Sequence, residues 1–208
     1  MPARYLHALD EDALFTEGAV AFRLDVITTQ ALARAFDTAA WIAPPAGKAN
    51  GPFCPPQPFG LPTPTDKAAA MDAVGLAMND AVLLPGLREM GRLVPVDLEL
   101  QDGAVDGNWH HDRMVRGHQG AFFLLAYLGN PTWDPAWGGG FAYGTRRLTG
   151  RWAHEVAAPD AWKTVWPVHR TAVLGWNEHP KLVHRAIPLT EARPRRTAIL
   201  PLALLPHL

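Results

Sequence analysis

The apolar positions of this chain change their period near its middle. Residues 28–41 (TTQALARAFDTAAW) open with threonines suited to capping and continue with apolar residues at helical spacing, which predicts a helix. From Asp66 the run DKAAAMDAVGLAMNDAVLLPGLREMGRL predicts two helices broken at Pro85, with Asp66 as the cap of the first. After Leu93 the texture turns to short β-rich runs, VPVDLEL, GAFFLLAYL, GGGFAYG, TAVLGW and RRTAILPLAL, separated by Gly, Pro, Asn and Asp. Residues 44–65 fit neither pattern. Their eight prolines and three glycines exclude a helix or a central strand, leaving either a disordered segment or an ordered loop lying over a site; Phe53 and Phe59 among them favour the loop. Helices first and strands afterwards predict an α+β fold, with helices backing a sheet sandwich or barrel. We expect one domain over 1–208: helical support over about 1–93 and the β core over about 94–208.

Composition narrows the function classes. The 208 residues are 48% hydrophobic and 19% charged with a net charge of −1, as in an ordinary soluble globule. Dispersed basic residues argue against a nucleic-acid groove or a membrane-surface patch, and the longest apolar runs are far short of a membrane span. A single cysteine, Cys54, and an N-terminus without a signal-like pattern lead us to expect a cytoplasmic protein.

Candidate chemistry sits in NWHHDRM. His110 and Asp112 are two apart, so on an extended segment they share a face and His111 points the other way. Two imidazoles and one carboxylate make a facial triad that leaves open positions on Fe(II), and the third ligand must come from a distant strand. His184, 72 residues beyond Asp112 and directly after TAVLGW, is placed to supply it. Eleven residues further, Arg195 opens the last strand-like run with Thr197 on the same face and Arg196 on the other. A guanidinium matches a carboxylate in bidentate geometry, so Arg195 and Thr197 offer an anionic co-substrate a charged fork and a hydroxyl.

These pieces resemble the prolyl 4-hydroxylase-like branch of the Fe(II)/2-oxoglutarate-dependent dioxygenases over roughly residues 95–203. His110-His111-Asp112 looks like the family's His-x-Asp, FFLLAYLGN like its strand ending in Tyr-Leu-Asn, and TWDPAWGGGF like its Trp-Asp…Gly-Gly turn. HRAIP resembles the distal His with Pro at +4, and Arg195-Arg196-Thr197 the Arg-x-Ser/Thr. The resemblance implies a double-stranded β-helix (jelly-roll) core, Fe(II) as metal, and 2-oxoglutarate and O2 as co-substrates. It implies His110, Asp112 and His184 as iron ligands, Arg195 as the clamp on the far carboxylate of 2-oxoglutarate, and Tyr127 and Thr197 as its hydroxyl partners. Some positions depart from the family. The spacing from the distal His to the clamp is eleven rather than nine or ten, which keeps Arg193 as an alternative; Gly140 replaces an acidic residue or threonine, and Gly129 an asparagine. Because halogenating relatives lack the carboxylate, Asp112 implies hydroxylation.

Trp109, Arg113 and Arg116 flank the first ligand pair. Either arginine suits a substrate carboxylate near the iron; a packing tryptophan and solvated arginines are the plainer reading. Trp133 and Trp137 read as structural, Trp176 as a core residue near His184, and His118, His154, His169 and His179 as non-ligands. The expected reaction is hydroxylation of an unactivated C–H in an amino acid or related small metabolite, or in a peptidyl residue such as proline. The competing readings are a catalytically silent jelly-roll binding protein, a desaturase or cyclase using the same iron centre, and a metal-dependent hydrolase or lyase.

Overall fold

Capping decides where the helices begin. The computed structural model describes residues 9–43, 58–80, 84–103, 107–112, 121–147, 156–191 and 193–207. Four helices lie among them: α1 (Glu11–Glu17), α2 (Val26–Asp37), α3 (Pro64–Met78) and α4 (Pro85–Met90). Asp25 caps α2 by accepting the N–H of Thr28 at 2.9 Å, so the threonines expected to cap this helix lie buried in its first turn. Thr63, not Asp66, caps α3, because Pro64 needs no N–H partner and starts the helix two residues upstream of the expected cap. Asp66 instead collects the Thr63 and Thr38 hydroxyls and the Arg34 Nε, each at 2.8 Å, and ties α3 to α2. Pro85 starts α4 rather than breaking a helix, and the Glu11 carboxylate holds that start by accepting the N–H groups of Gly86 and Leu87 at 2.9 and 3.0 Å.

The strands are β1 (Ala19–Arg23), β2 (Ala40–Ile42), β3 (Phe59–Leu61), β4 (Arg92–Pro95), β5 (Glu99–Gln101), β6 (Phe122–Leu128), β7 (Phe141–Thr145), β8 (Trp162–Val165), β9 (Thr171–Trp176), β10 (Leu182–Ala186) and β11 (Arg196–Leu205). They form a large antiparallel sheet in the order β1-β9-β6-β11-β5-β3-β2, with β4 also on β11, and a small one in the order β10-β7-β8. The expected β core is therefore present. The expectation of helices first and strands afterwards is corrected, because β1, β2 and β3 come from the N-terminal half and extend the large sheet at both edges. Residues 44–57 of the Pro-rich loop lie outside the described residues; its end, 58–65, holds β3 and the start of α3.

Alternation along the central strands sets two layers of core. Phe122, Leu124, Ala126 and Leu128 of β6, with Ala198, Leu200 and Leu202 of β11, face the helices and meet Leu32, Phe36, Val74 and Met78. The other parity, Phe123, Leu125 and Tyr127, faces the small sheet and meets Phe141, Tyr143 and Val165. Tyr127 and Thr197 lie on this second, inner face, and His184 of β10 faces it from the small sheet.

Candidate metal centre and anion pocket

His110 and His184 are locked side by side by the backbone. The N–H of each donates to the carbonyl of the other, at 3.0 and 2.9 Å, an antiparallel bridge that puts both side chains on one face. Their ring centroids are 4.4 Å apart. Asp112, two residues on, brings Oδ2 to 3.2 Å from His184 Nε2 and Oδ1 to 3.9 Å from His110 Nε2. One ligand atom from each of the three lies within 4.8 Å of the others, which suits a single small cation.

The surroundings prepare these atoms for a metal. The Nδ1–H of His110 donates to the carbonyl of Asn108 at 2.7 Å; a carbonyl only accepts, so the Nε2 lone pair is left for the cation. Burial, with His184 alongside, pushes the His110 imidazole down to about 4, against the pull of Asp112, so the ring is neutral at pH 7. Burial alone would raise the Asp112 carboxyl, but the charge and hydrogen bond of His184, with His110, outweigh it and bring it down to about 2. His184 lies between Phe123 and Phe141, at 5.4 and 5.3 Å between centroids, and its buried Nδ1 has no hydrogen-bond partner among the described residues. The two aromatic rings hold its buried side, while Asp112 meets its Nε2. His111 is buried and is not among the three converging residues.

The second group on the inner face is built around Arg195, which is 2% exposed. Its Nε donates to the Gly139 carbonyl, Nη2 to the Tyr127 hydroxyl at 3.3 Å, and Nη1 to the Gly103 carbonyl at a long 3.5 Å. No carboxylate pairs with the guanidinium among the described residues; Asp102 instead accepts the Arg195 backbone N–H at 3.1 Å. Thr197, fully buried, pairs directly with Tyr127 across β11 and β6. Arg196 faces the other way, bonded to Asp37 at 3.0 Å and lying over Phe36. Arg193 is on the surface, paired with Glu191 and stacked 3.6 Å from the Trp137 ring centre. A groove of about 840 Å3 opens beside this end, bordered by Trp41, Pro58, Asp102, Gly103 and Pro194.

Sequence reasoning singled out the glycine turn without its purpose. Gly138 and Gly139 have φ of +70° and +74°, and a Cβ on Gly138 would lie 2.0 Å from the Pro188 carbonyl oxygen. That conformation presents the Gly139 carbonyl to Arg195. Gly140 has no room for a side chain either, since a Cβ would meet Trp166 at 2.9 Å and Thr164 at 3.0 Å. Phe123, Phe141, Gly103 and Asp102 were also missed, because only the folded pairing brings them to the site.

Among the flanking residues, the expected place of Trp176 is corrected. Trp109 follows the packing reading: it meets Ala142 and Val183 on the outer face of the small sheet, edge-on to Trp162 and under Arg185, and faces away from the three converging residues. Trp176 lies on β9 as expected, but it faces the helices, stacked on Phe122 and edge-on to Phe15, not His184. His169 accepts the Gly129 backbone N–H and His179 bonds the Phe15 carbonyl, and neither is among the three, as expected of non-ligands. Arg113, Arg116, His118 and His154 lie outside the described residues.

Known structures share this fold. No protein-family model matches the chain, and no curated protein matches it. A Pseudomonas putida prolyl-4-hydroxylase superimposes with a TM-score of 0.52 at 20% identity, over 91% of this chain and 95% of that one. A Trichoplax adhaerens prolyl hydroxylase, solved with a hypoxia inducible factor peptide fragment, gives 0.58 at 12% identity over 92% and 86%. The epimerase SnoN, solved with Fe3+, alpha ketoglutarate and nogalamycin RO, gives 0.56 at 14% identity over 92% and 81%. The chain therefore has the double-stranded β-helix fold found in 2-oxoglutarate–iron oxygenases.

Proposed function

We propose that this protein is an Fe(II)- and 2-oxoglutarate-dependent oxygenase that hydroxylates an unactivated C–H bond of an amino acid or related small metabolite, or of a peptidyl residue such as proline. The observation that carries the reading is a buried guanidinium without a carboxylate partner among the described residues, on the inner side of the large sheet, with a two-histidine, one-carboxylate cluster facing that side from the small sheet. A buried, unpaired charge costs several kcal/mol, so Arg195 calls for an anion. The cluster calls for a cation with open coordination positions. A short dicarboxylate with a 2-oxo group answers both: one end chelates the metal and the other pairs with Arg195. The relatives in fold support the same choice, two being prolyl hydroxylases and one holding iron with alpha ketoglutarate.

In this reading His110, Asp112 and His184 hold the iron. Bound there with 2-oxoglutarate, iron supplies O2 activation and hydrogen removal from a C–H bond, with succinate and CO2 as by-products. The chain's own share is orientation. The Asn108 carbonyl keeps the His110 proton on Nδ1, and Phe123 and Phe141 fix the His184 ring and keep water from its buried side. Arg195, Tyr127 and Thr197 bind the distal carboxylate. The test is anaerobic reconstitution with Fe(II), followed by air and 2-oxoglutarate, with succinate measured against a panel of free amino acids, small acids and proline peptides. Succinate formation dependent on iron and stimulated by a panel member is expected. Iron retention without succinate would favour the silent binding protein, and turnover without 2-oxoglutarate a hydrolase or lyase.

A further inference from the structure

The inner face of the large sheet continues past the anion pocket, and it changes chemistry as it does so. Residues paired across antiparallel strands share a face, so Tyr127, Thr197, Gln101 and Phe59 form one row across β6, β11, β5 and β3. The next row runs Leu125, Ile199 and Glu99. The hydrocarbon filling between the sheets includes no residue of β5 or β3 among the described residues. Ile199 is accordingly only partly buried, although its neighbours Leu125 and Thr197 are almost wholly covered. At the edge of this opening stands Glu99, exposed, with no cationic partner among the described residues. Gln101, 8% exposed, donates its Nε2–H to Glu99 Oε1 at 2.6 Å and so fixes the carboxylate. Beyond the pair, Phe59 and Ile42 present apolar surface on the same face.

We propose that Glu99, oriented by Gln101, is the recognition point for an ammonium group on the primary substrate, whose carbon skeleton lies along Ile199 and Phe59. The substrate class is then the free amino acid. This rests on the oxygenase reading. A solvated glutamate needs no buried amide to aim it, and an amide on a buried row is costly unless its bonds are used. The arrangement also separates charges by ligand: Arg195 takes the co-substrate's carboxylate, and two rows along the same face Glu99 takes the substrate's cation, which disfavours binding 2-oxoglutarate in the substrate's place.

The test uses the nickel-loaded protein saturated with 2-oxoglutarate, which binds without turning over. Calorimetry is run with each of the twenty free L-amino acids, then with the N-acetyl form of any that binds. At least one free amino acid is expected to bind and its N-acetyl form not to bind. Glu99→Gln should weaken it about tenfold or more, the loss of one charge-assisted hydrogen bond, and Gln101→Leu should weaken it by a smaller factor. The thermal midpoint of Glu99→Gln should match that of the parent, since the side chain is exposed. If 2-oxoglutarate binds but no amino acid does, or the N-acetyl form binds equally well, or Glu99→Gln binds as the parent does, the inference is overturned and the oxygenase reading stands. If 2-oxoglutarate itself fails to bind, both fall.

Discussion

The two faces of the large sheet are made from the same strands and do different work. On the helix side, β6 and β11 present Phe122, Leu124, Ala126, Ala198, Leu200 and Leu202, all hydrocarbon and all buried. On the inner side the same strands present Phe123, Leu125, Tyr127, Thr197 and, just before β11, Arg195. One face is closed by helices and needs only volume and shape. The other carries a charged group, two hydroxyls and, across the sandwich, His184. A shift of one residue in register would exchange them, so the long hydrophobic face is also what places Arg195 inside and Arg196 outside.

The largest effect should come from the cluster on the inner side. Asp112→Ala and His184→Ala are expected to abolish iron retention or turnover, whereas His111→Ala keeps the metal. Metal analysis of the purified variants checks this, and full iron content with normal succinate yield in Asp112→Ala would remove the ligand assignment. On the helix side the converse is expected. Leu124, fully buried, should cost about 2–5 kcal/mol of stability as Leu124→Ala, with metal stoichiometry unchanged in the folded fraction. Denaturant unfolding paired with metal analysis measures both, and a lost metal site at preserved stability would show that the faces are not separable in this way.

Smaller effects probe the edges. Gly138→Ala forces a side chain into a left-handed conformation against the Pro188 carbonyl, at a cost of about 1–3 kcal/mol, and should weaken 2-oxoglutarate binding through the displaced Gly139 carbonyl. Thermal unfolding and co-substrate titration of that variant should move together. The smallest effect belongs to the helix layer. Hydrogen bonds from Thr63 and Thr38, with Arg34, hold the Asp66 carboxyl below its ordinary range. A depressed carboxyl contributes stability above its unfolded value, near 3.8, and loses it as pH falls through the folded value. Asp66→Asn should therefore be less stable than the parent at pH 7, and the gap should narrow below about pH 4. A gap that widens on acidification would reverse the sign assigned to this group.

What the sequence made legible follows the same division. The long strands β6, β9 and β11 declare themselves by β-rich composition, and the spacing of His110, Asp112 and His184 names a cluster that the structure brings together. The three-residue strands β2 and β3 carry too few residues for a period to show, and β1 lies among helices. Caps were misplaced by three residues because Asp25 and Thr63 act just upstream of the apolar pattern. Trp176 was misplaced for another reason: parity tells which residues share a face, but not which face meets the site. The partners of Arg195, drawn from Gly103, Tyr127 and Gly139, come from separate segments and become neighbours only in the sandwich.

The most direct test compares Arg195 with Arg196, adjacent in sequence and on opposite faces. Anaerobic titration of the Fe(II)-loaded protein with 2-oxoglutarate should show a dissociation constant raised roughly a hundredfold or more in Arg195→Ala. That is the consequence of removing one partner of a buried charged pair worth about 3–5 kcal/mol. Iron content should be unchanged. Arg196→Ala and Arg193→Ala should bind as the parent does. A large loss at Arg193 alone, or equal affinity in all three variants, would contradict the assignment of Arg195 as the clamp and, in the second case, of 2-oxoglutarate as the co-substrate.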